Sequence, residues 1–258
     1  MNNVMALSGV VIMEMYRRKD FYVLFVMTAL ITLILGSMRF FDNDMIVRYL
    51  KEVCLLLIWI SSLVIAISTT ARQIPAERES RTIFPLLAKP VSRAQLIAGK
   101  FFGCWLACGL ALIVFYLFFG VITASREHAW PMASYFQAIS MHWIALGIVI
   151  ALVLFGSVVF TAPSSNATIC FIIVIGLMFV GGHLNKMALV PGMSGKIIYA
   201  IYYMIPHLEW YDLRDLIIHD WGRVPWGAWA GAILYGILYS GFLLGAAWAV
   251  FRRKTLTV

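Results

Sequence analysis

Residues 138–162 read AISMHWIALGIVIALVLFGSVVFTA, a run of 25 residues without Asp, Glu, Lys or Arg. A helix needs about 20 apolar residues to cross the hydrocarbon core of a bilayer. Inside that core the backbone has no water to bond, so a spanning helix must satisfy its own hydrogen bonds. This run therefore predicts a transmembrane helix.

The rest of the chain repeats this pattern. Five more runs lack all four charged residue types: Phe21–Met38, Val53–Ala71, Phe101–Thr123, Ala167–Gly182 and Trp226–Phe251. The fifth span of the chain, at 167–182, is short, so it either extends past His183 or forms half of a broken span. In the whole chain of 258 residues, 62% are hydrophobic and 12% are charged, whereas soluble domains are about half apolar and about a quarter charged. We predict an all-α polytopic membrane protein in which residues 1–258 form a single six-helix transmembrane domain.

The basic residues favour one side of this predicted topology. With both termini in the cytoplasm, the inner segments 1–20, 72–100, 163–166 and 252–258 hold 12 basic and 4 acidic residues, and the outer segments hold 8 of each. The net charge of +8 therefore lies on the inner side, as the positive-inside rule expects. This distribution predicts a multi-pass protein of the cytoplasmic membrane and explains the basic composition without a nucleic-acid partner.

Two segments outside the spans are predicted to rest on the membrane surface. In residues 1–20, apolar side chains recur at helical spacing before a basic cluster, which favours an amphipathic helix in the inner interface. We interpret the first apolar run as a retained span because no signal-peptide cleavage pattern ends it. The outer segment 184–225 holds an aromatic stretch, followed by an amphipathic helical pattern over His207–Ile218. These features indicate short re-entrant or interfacial helices on the outer side.

The inner segment 72–100 is the most informative connection between spans. Pro75 suits the first position of a helix, and two acids follow it where the helix dipole favours negative charge. We therefore predict a short helix from about Pro75 to Phe84, with one charged side and one apolar side. The later sequence Ser92-Arg-Ala-Gln95 has the capping-box form that begins a helix. A surface loop that only obeys the positive-inside rule is the alternative interpretation.

The spans offer few groups for catalysis or metal binding. They hold no acid and no strong base, and His142 and His183 lie near outer ends of spans. Two histidines could serve as axial ligands of a haem. We favour the alternative, in which each is an interfacial histidine whose ring nitrogens are hydrogen-bonded within the protein. Cys104 and Cys108 share a helix face, where small packing residues are favoured over a soft-metal pair. We predict no catalytic residue, cofactor or metal on this chain, and we expect any transport energy to come from another chain.

The inner loop also carries a family resemblance. Its matching elements are Glu77-x-Glu79-x-x-Thr82, Leu86-Leu87-Ala-Lys-Pro90-Val-Ser-Arg93 and Gly99-Lys100. Together they resemble the cytoplasmic segment of type-two ABC transporter permeases. Within that group the chain is most similar to half-size bacterial permeases of the multicopper-enzyme-maturation type, many of which have Gly where this chain has Arg81. The six spans, the amino-terminal helix and the long last outer loop match that layout in outline.

The resemblance implies a mechanism as well as a fold. The helix around the first matching element would be a coupling helix that docks on a separate cytoplasmic ABC ATPase. The implied ATPase-docking residues, which we expect to be exposed, are Glu77, Arg78, Glu79, Arg81 and Thr82. Two permease chains, identical or related, and an ATPase dimer would form the transporter in the bacterial inner membrane. ATP would bind to the ATPase chains, and export is the direction that the resemblance implies.

Two other classes of function stay open at this point. One is a non-transporting membrane anchor or assembly subunit of another complex. The other is an intramembrane enzyme that uses outer-loop groups such as His183, His207 and Glu209. The apolar faces of the spans suit an amphipathic or lipid-like cargo, and they equally suit contact with plain lipid.

Overall fold

A computed structural model describes residues 2–17, 19–37, 43–79, 91–127, 132–188, 202 and 204–254. These residues form helices joined by turns. The helices are α1 (Asn2–Arg17), α2 (Lys19–Ser37), α3 (Asn43–Ala71), α4 (Pro75–Glu79), α5 (Arg93–Glu127), α6 (Met132–Val159), α7 (Pro163–Ala188), α8 (Arg214–Ile218) and α9 (Trp226–Arg253), and Leu208–Tyr211 forms a 3-10 turn.

Each predicted span falls on one of these helices. Five stretches of the described residues are long and apolar enough to cross a membrane, and they include most of α3, α5, α6, α7 and α9. The apolar part of α2, Tyr22–Ile34, is shorter. Helix α7 continues past His183 to Ala188, so the fifth run belongs to one continuous helix and is not half of a broken one. The part of it that is long and apolar enough to cross a membrane is Pro163–Gly181. The predicted all-α polytopic membrane protein is confirmed.

Helix α6 is the centre of the bundle. Most of its side chains are buried, and it packs against α3, α5 and α9. A helix that is hydrophobic all round needs such a central position because it has no polar face to turn outward. We call the end of the bundle that carries residues 72–79 and 91–100 the loop end, and the end that carries residues 204–225 the opposite end.

Two tryptophans join α5 to α6 reciprocally. Trp105 Nε1 donates to the Trp143 carbonyl at 3.0 Å, and Trp143 Nε1 donates to the Trp105 carbonyl at 2.9 Å. The indole rings stack with centroids 4.4 Å apart. A Cβ on Gly109 would lie 2.5 Å from Trp143 Nε1, and one on Gly147 would lie 3.1 Å from Trp105 Nε1. The two glycines therefore make room for the two rings, and we call this arrangement the tryptophan clasp.

Helix α1 packs along the first part of α5. A Cβ on Gly99 would lie 2.7 Å from Leu7 Cβ, and one on Gly103 would lie 2.6 Å from Val11 Cβ. Ser8 Oγ also donates to the Gly99 carbonyl at 3.0 Å. Because the contacts advance by four residues on both helices, α1 and the start of α5 run parallel. The position of α1 relative to the membrane interface stays a prediction.

The outer segment around residues 207–218 forms two short helical pieces instead of the single helix that its sequence pattern indicates. The prediction of one amphipathic helix over His207–Ile218 is wrong, because the 3-10 turn and α8 are separated at Asp212. Asp212 Oδ1 accepts a hydrogen bond from the backbone N–H of Arg214 at 3.2 Å, and such local bonds compete with helical ones. The apolar side of the pattern is nevertheless buried. Most of the aromatic stretch at 194–205 lies outside the described residues.

We expect Gly103→Ala to lower stability, because the added Cβ would meet Val11 Cβ at 2.6 Å. Gly176→Ala is the matched control, since a Cβ there meets nothing within 4 Å. Both changes gain similar helix propensity, so the difference between them isolates the clash, which should cost about 1–3 kcal/mol. Thermal unfolding in detergent, followed by size-exclusion chromatography, measures this difference. Equal melting temperatures would contradict the packing of α1 on α5.

Candidate functional site

The loop end contains a defined helix start. The Ser92 N–H donates to Gln95 Oε1 at 2.9 Å, and the Gln95 N–H donates to Ser92 Oγ at 3.2 Å. These reciprocal bonds are those of a capping box, so that prediction is confirmed. From this fixed start α5 continues for 35 residues, which makes it a rigid connection between the two ends of the bundle.

Helix α4 follows α3 after a short turn. Ile74 and Pro75 are buried and fix the beginning of α4 on the bundle, whereas Glu79 is exposed. The helix that was predicted to reach Phe84 is described as far as Glu79. The predicted docking residues Arg81 and Thr82 lie outside the described residues.

Glu77 is not a freely exposed charge. Its Oε1 forms an ion pair with Lys100 Nζ, and the side chains of Glu77 and Lys100 are 18% and 5% exposed. Removing one partner of a buried pair leaves an uncompensated charge, which typically costs about 3–5 kcal/mol. The expectation that every docking residue is exposed is therefore wrong for Glu77, which joins α4 to α5.

An arginine from α5 fixes the carbonyl end of α9. The same terminal nitrogen of Arg93 donates to the carbonyls of Phe251, Arg252 and Lys254 at 2.5, 3.1 and 3.1 Å. Its guanidinium also lies 5.2 Å from the centroid of the Phe251 ring. The last carbonyls of a helix lack intrahelical partners and carry partial negative charge, so a cation is favoured there. Arg93 therefore caps α9.

Arg78 of α4 is partly buried, so the expectation of exposure is wrong for it as well. Its guanidinium lies 5.8 Å from the centroid of the same Phe251 ring. An arginine side chain stays charged in proteins, and the ring offers it a cation–π contact. Helices α4, α5 and α9 thus meet at Phe251.

Lys254, which follows α9, caps another helix at this end. Its Nζ donates to the carbonyls of Val158 and Val159 at 2.8 and 3.1 Å. Burial, together with the positive charge of Arg78, lowers the pKa of Lys254. The carbonyl ends of α6 and α9 at the loop end are therefore each held by a base from another part of the chain.

A groove opens beside α4 and encloses about 410 Å³. Its lining residues are Ser68, Arg72, Ala76, Glu79, Pro163, Ser164 and Ala167. Arg72 and Glu79 are both exposed, so they bring opposite charges to the groove. Pro163 begins α7 directly after a three-residue turn from α6. The inner segment assigned to residues 163–166 is therefore the first turn of α7, and the connection itself is residues 160–162. We call this groove the docking groove, because Arg72 and Glu79 let it pair with side chains of either charge.

His142 is a structural residue inside the bundle. Its Nε2 lies 2.8 Å from Ser62 Oγ, and its Nδ1 lies 3.4 Å from the Tyr116 hydroxyl. The imidazole also stacks on Trp59 with centroids 4.1 Å apart. Both ring nitrogens have partners, so His142 is not placed to ligate haem. The prediction of a satisfied histidine is confirmed, although the side chain is buried in the bundle and not at its edge.

Two of the three outer-loop groups that an intramembrane enzyme would use, His207 and Glu209, lie side by side. His207 Nδ1 lies 3.0 Å from Glu209 Oε1, and the His207 ring stacks on Trp210 at a centroid distance of 4.5 Å. The Glu209 carboxylate packs directly against Gly181 of α7. These contacts hold the outer segment on α7. The side chain of His183 lies outside the described residues.

The cysteine pair of α5 lies inside the bundle. Cys104 and Cys108 are 0% and 2% exposed, which suits their predicted packing role. Within the described ranges, no group of three or more His, Cys, Asp or Glu side chains has a geometry suited to a metal ion.

We expect Arg93→Gln to loosen the last turn of α9, because three carbonyls lose a charged donor. Hydrogen bonds to charged groups contribute about 1.5–3 kcal/mol, so amide hydrogen exchange in residues 248–254 should accelerate about tenfold to a hundredfold. Exchange measured by mass spectrometry in detergent tests this. Arg253→Gln is the control, since its side chain is exposed. Unchanged protection in Arg93→Gln would show that Arg93 does not cap the helix.

Most of the chain matches a known protein family. The profile described as ABC-2 family transporter protein matches residues 5–212. The match includes α1 to α7 and the 3-10 turn, and it ends before α9. A search of curated proteins found no match to the chain.

Proposed function

Because the chain belongs to the ABC-2 family of transporter proteins, we propose that it is a permease subunit powered by ATP on a separate cytoplasmic ATPase that binds at the loop end. In this proposal the ATPase contacts α4 and the docking groove. Glu79, Arg81 and Thr82 contact the ATPase directly, and Glu77 and Arg78 position α4. The proposal gives this chain no catalytic residue and no cofactor of its own.

The way in which α4 is held is the observation that supports this proposal. On one side, the Glu77–Lys100 ion pair joins it to α5, and the contact of Arg78 with Phe251 joins it to α9. On the other side, Glu79 faces the docking groove. A force that a partner exerts at Glu79 would therefore reach two long helices through two short contacts.

This linkage favours movement of whole helices. Helix α5 is continuous over its 35 residues, and Arg93 couples its first turn to the end of α9. ATP binding and hydrolysis on the partner would shift α4 and with it the ends of α5 and α9, which would switch the spans between inward- and outward-facing packings. Two permease chains, identical or related, and two ATPase chains would enclose the substrate path. We propose export of an amphipathic or lipid-like cargo.

The charge distribution supports an orientation with the loop end in the cytoplasm. The segments assigned to the inner side carry the whole net charge of +8, in keeping with the positive-inside rule. An ATPase at the loop end needs cytoplasmic ATP, so the same orientation follows from the proposed mechanism. Both termini would then be cytoplasmic, in the inner membrane of a bacterium.

Isolation of the chain from its native membrane in mild detergent tests the proposal. We expect an ATP-binding subunit to co-purify stoichiometrically and to hydrolyse ATP. A preparation that carries only partners without ATPase activity would contradict the proposal. The chain would then be an anchor or assembly subunit of another complex.

Charge reversal at Glu79 tests the docking groove. We expect Glu79→Lys to lower the amount of ATPase retained per permease about tenfold or more, because a like-charge contact across an interface costs several kcal/mol. The amount of permease in the membrane should not change, since Glu79 is exposed. Glu52→Lys is the matched control, because Glu52 is also exposed but lies on α3 near the opposite end. Quantitative immunoblots measure both proteins, and equal ATPase retention in the two variants would exclude Glu79 as a docking residue.

A further inference from the structure

A second groove lies between α5, α6 and α9, away from the docking groove. It encloses about 330 Å³. Aromatic side chains of α5, including Phe102 and Trp105, form one wall, and Ile237, Gly241 and Leu244 of α9 form another. Phe102 and Ile237 are 43% and 54% exposed, so the groove opens on the lateral surface of the helix bundle. We call it the α9 groove.

Helix α9 continues the line of this groove toward the loop end. Beyond Gly241 and Leu244, the same helix face carries Trp248 and Arg252, because these residues follow one another at intervals of three or four. Trp248 is 40% exposed, and the Arg252 guanidinium lies 5.7 Å from the centroid of its ring. One face of α9 thus leads from an apolar groove to an exposed cation.

We propose that this face binds an anionic phospholipid of the bilayer, with an acyl chain in the α9 groove and the phosphate at Arg252. Arg252 lies eight positions after Leu244, which corresponds to about 12 Å along a helix. The site therefore has an apolar part and a positive part in the order in which a lipid presents its chain and its headgroup. Basic residues near the inner surface attract anionic lipids, by about fivefold in affinity for each residue.

The groove is built from rigid parts. Trp105 is held in place by the tryptophan clasp, so this wall does not depend on a mobile side chain. Gly241 forms part of the opposite wall, and a Cβ there would meet nothing within 4 Å. The missing side chain of Gly241 therefore leaves room beside the helix, and a larger residue can fill that room without a clash inside the chain.

A second copy of the chain is the competing occupant of this surface. A two-fold axis along the bilayer normal would use the same patch on both copies. The two Arg252 side chains would then lie at the same depth at one interface, and like charges oppose such an arrangement. The exposed cation at the end of the groove favours the lipid.

Photolabelling of the full chain, purified with the subunits that it retains, tests the proposal. The probe is phosphatidylglycerol with a diazirine on its acyl chain, in nanodiscs of phosphatidylcholine. We expect labels on the peptides that contain Phe102 and Gly241. Gly241→Leu should abolish labelling at this site, and Arg252→Gln should lower it about fivefold.

Matched controls exist on the same helix. Gly231→Leu also adds a side chain where a Cβ meets nothing within 4 Å, but Gly231 does not line the groove. Arg253→Gln removes an exposed charge that lies off the groove face. We expect wild-type labelling in both controls.

Three results would overturn the proposal. They are unchanged labelling in Gly241→Leu, equal labelling by a phosphatidylcholine probe, and a disulfide between two copies of Gly241→Cys in membranes, which would place a second copy on this face. The labelling does not need ATP or the ATPase. Its failure would therefore leave the proposed permease function untouched.

Discussion

A polar group inside the hydrocarbon of a bilayer cannot form hydrogen bonds to water, so it must find a partner within the protein. This constraint organises the helix bundle. Several buried polar side chains in the spans bond to a neighbouring helix and so connect two helices. His142 bonds to Ser62 of α3 and Tyr116 of α5. Asn166 of α7 donates to the carbonyl of Val153 on α6 at 3.2 Å. These polar residues, which are few in the apolar spans, therefore link neighbouring helices to one another.

Helix ends pose the same problem for the backbone. The carbonyl ends of α6 and α9 meet Lys254 and Arg93, and Lys100 is paired with Glu77. These bases are counted by the positive-inside rule, yet each has a local structural partner. The basic residues at the loop end therefore complete helix ends and pair with an acid within the bundle, and only part of their charge is left for lipid or for another protein.

The sequence predicted the features that depend on neighbours along the chain. Hydropathy located the spans, and the reciprocal bonds of Ser92 and Gln95 were visible as a four-residue motif. Contacts between distant positions were not visible. The Glu77–Lys100 pair joins residues 23 apart, so the sequence pattern predicted exposure for a charge that is in fact half-buried. The break at Asp212 was missed because a side-chain bond to Arg214 overrides an otherwise good amphipathic pattern. The docking groove combines α3, α4 and α7, and hydropathy alone could not place them side by side.

The tryptophan clasp restricts which amino-acid substitutions this protein can accumulate during evolution. Trp105, Gly109, Trp143 and Gly147 form one unit, in which each ring needs the glycine on the other helix and each indole N–H needs the other tryptophan's carbonyl. Enlarging Gly109 alone would displace Trp143, and that displacement would in turn disturb Trp105. Effects of substitutions within such a contact are not additive. A single replacement should therefore lower the stability of the protein even where a coordinated set of replacements would not. We expect the four positions to be retained or replaced together.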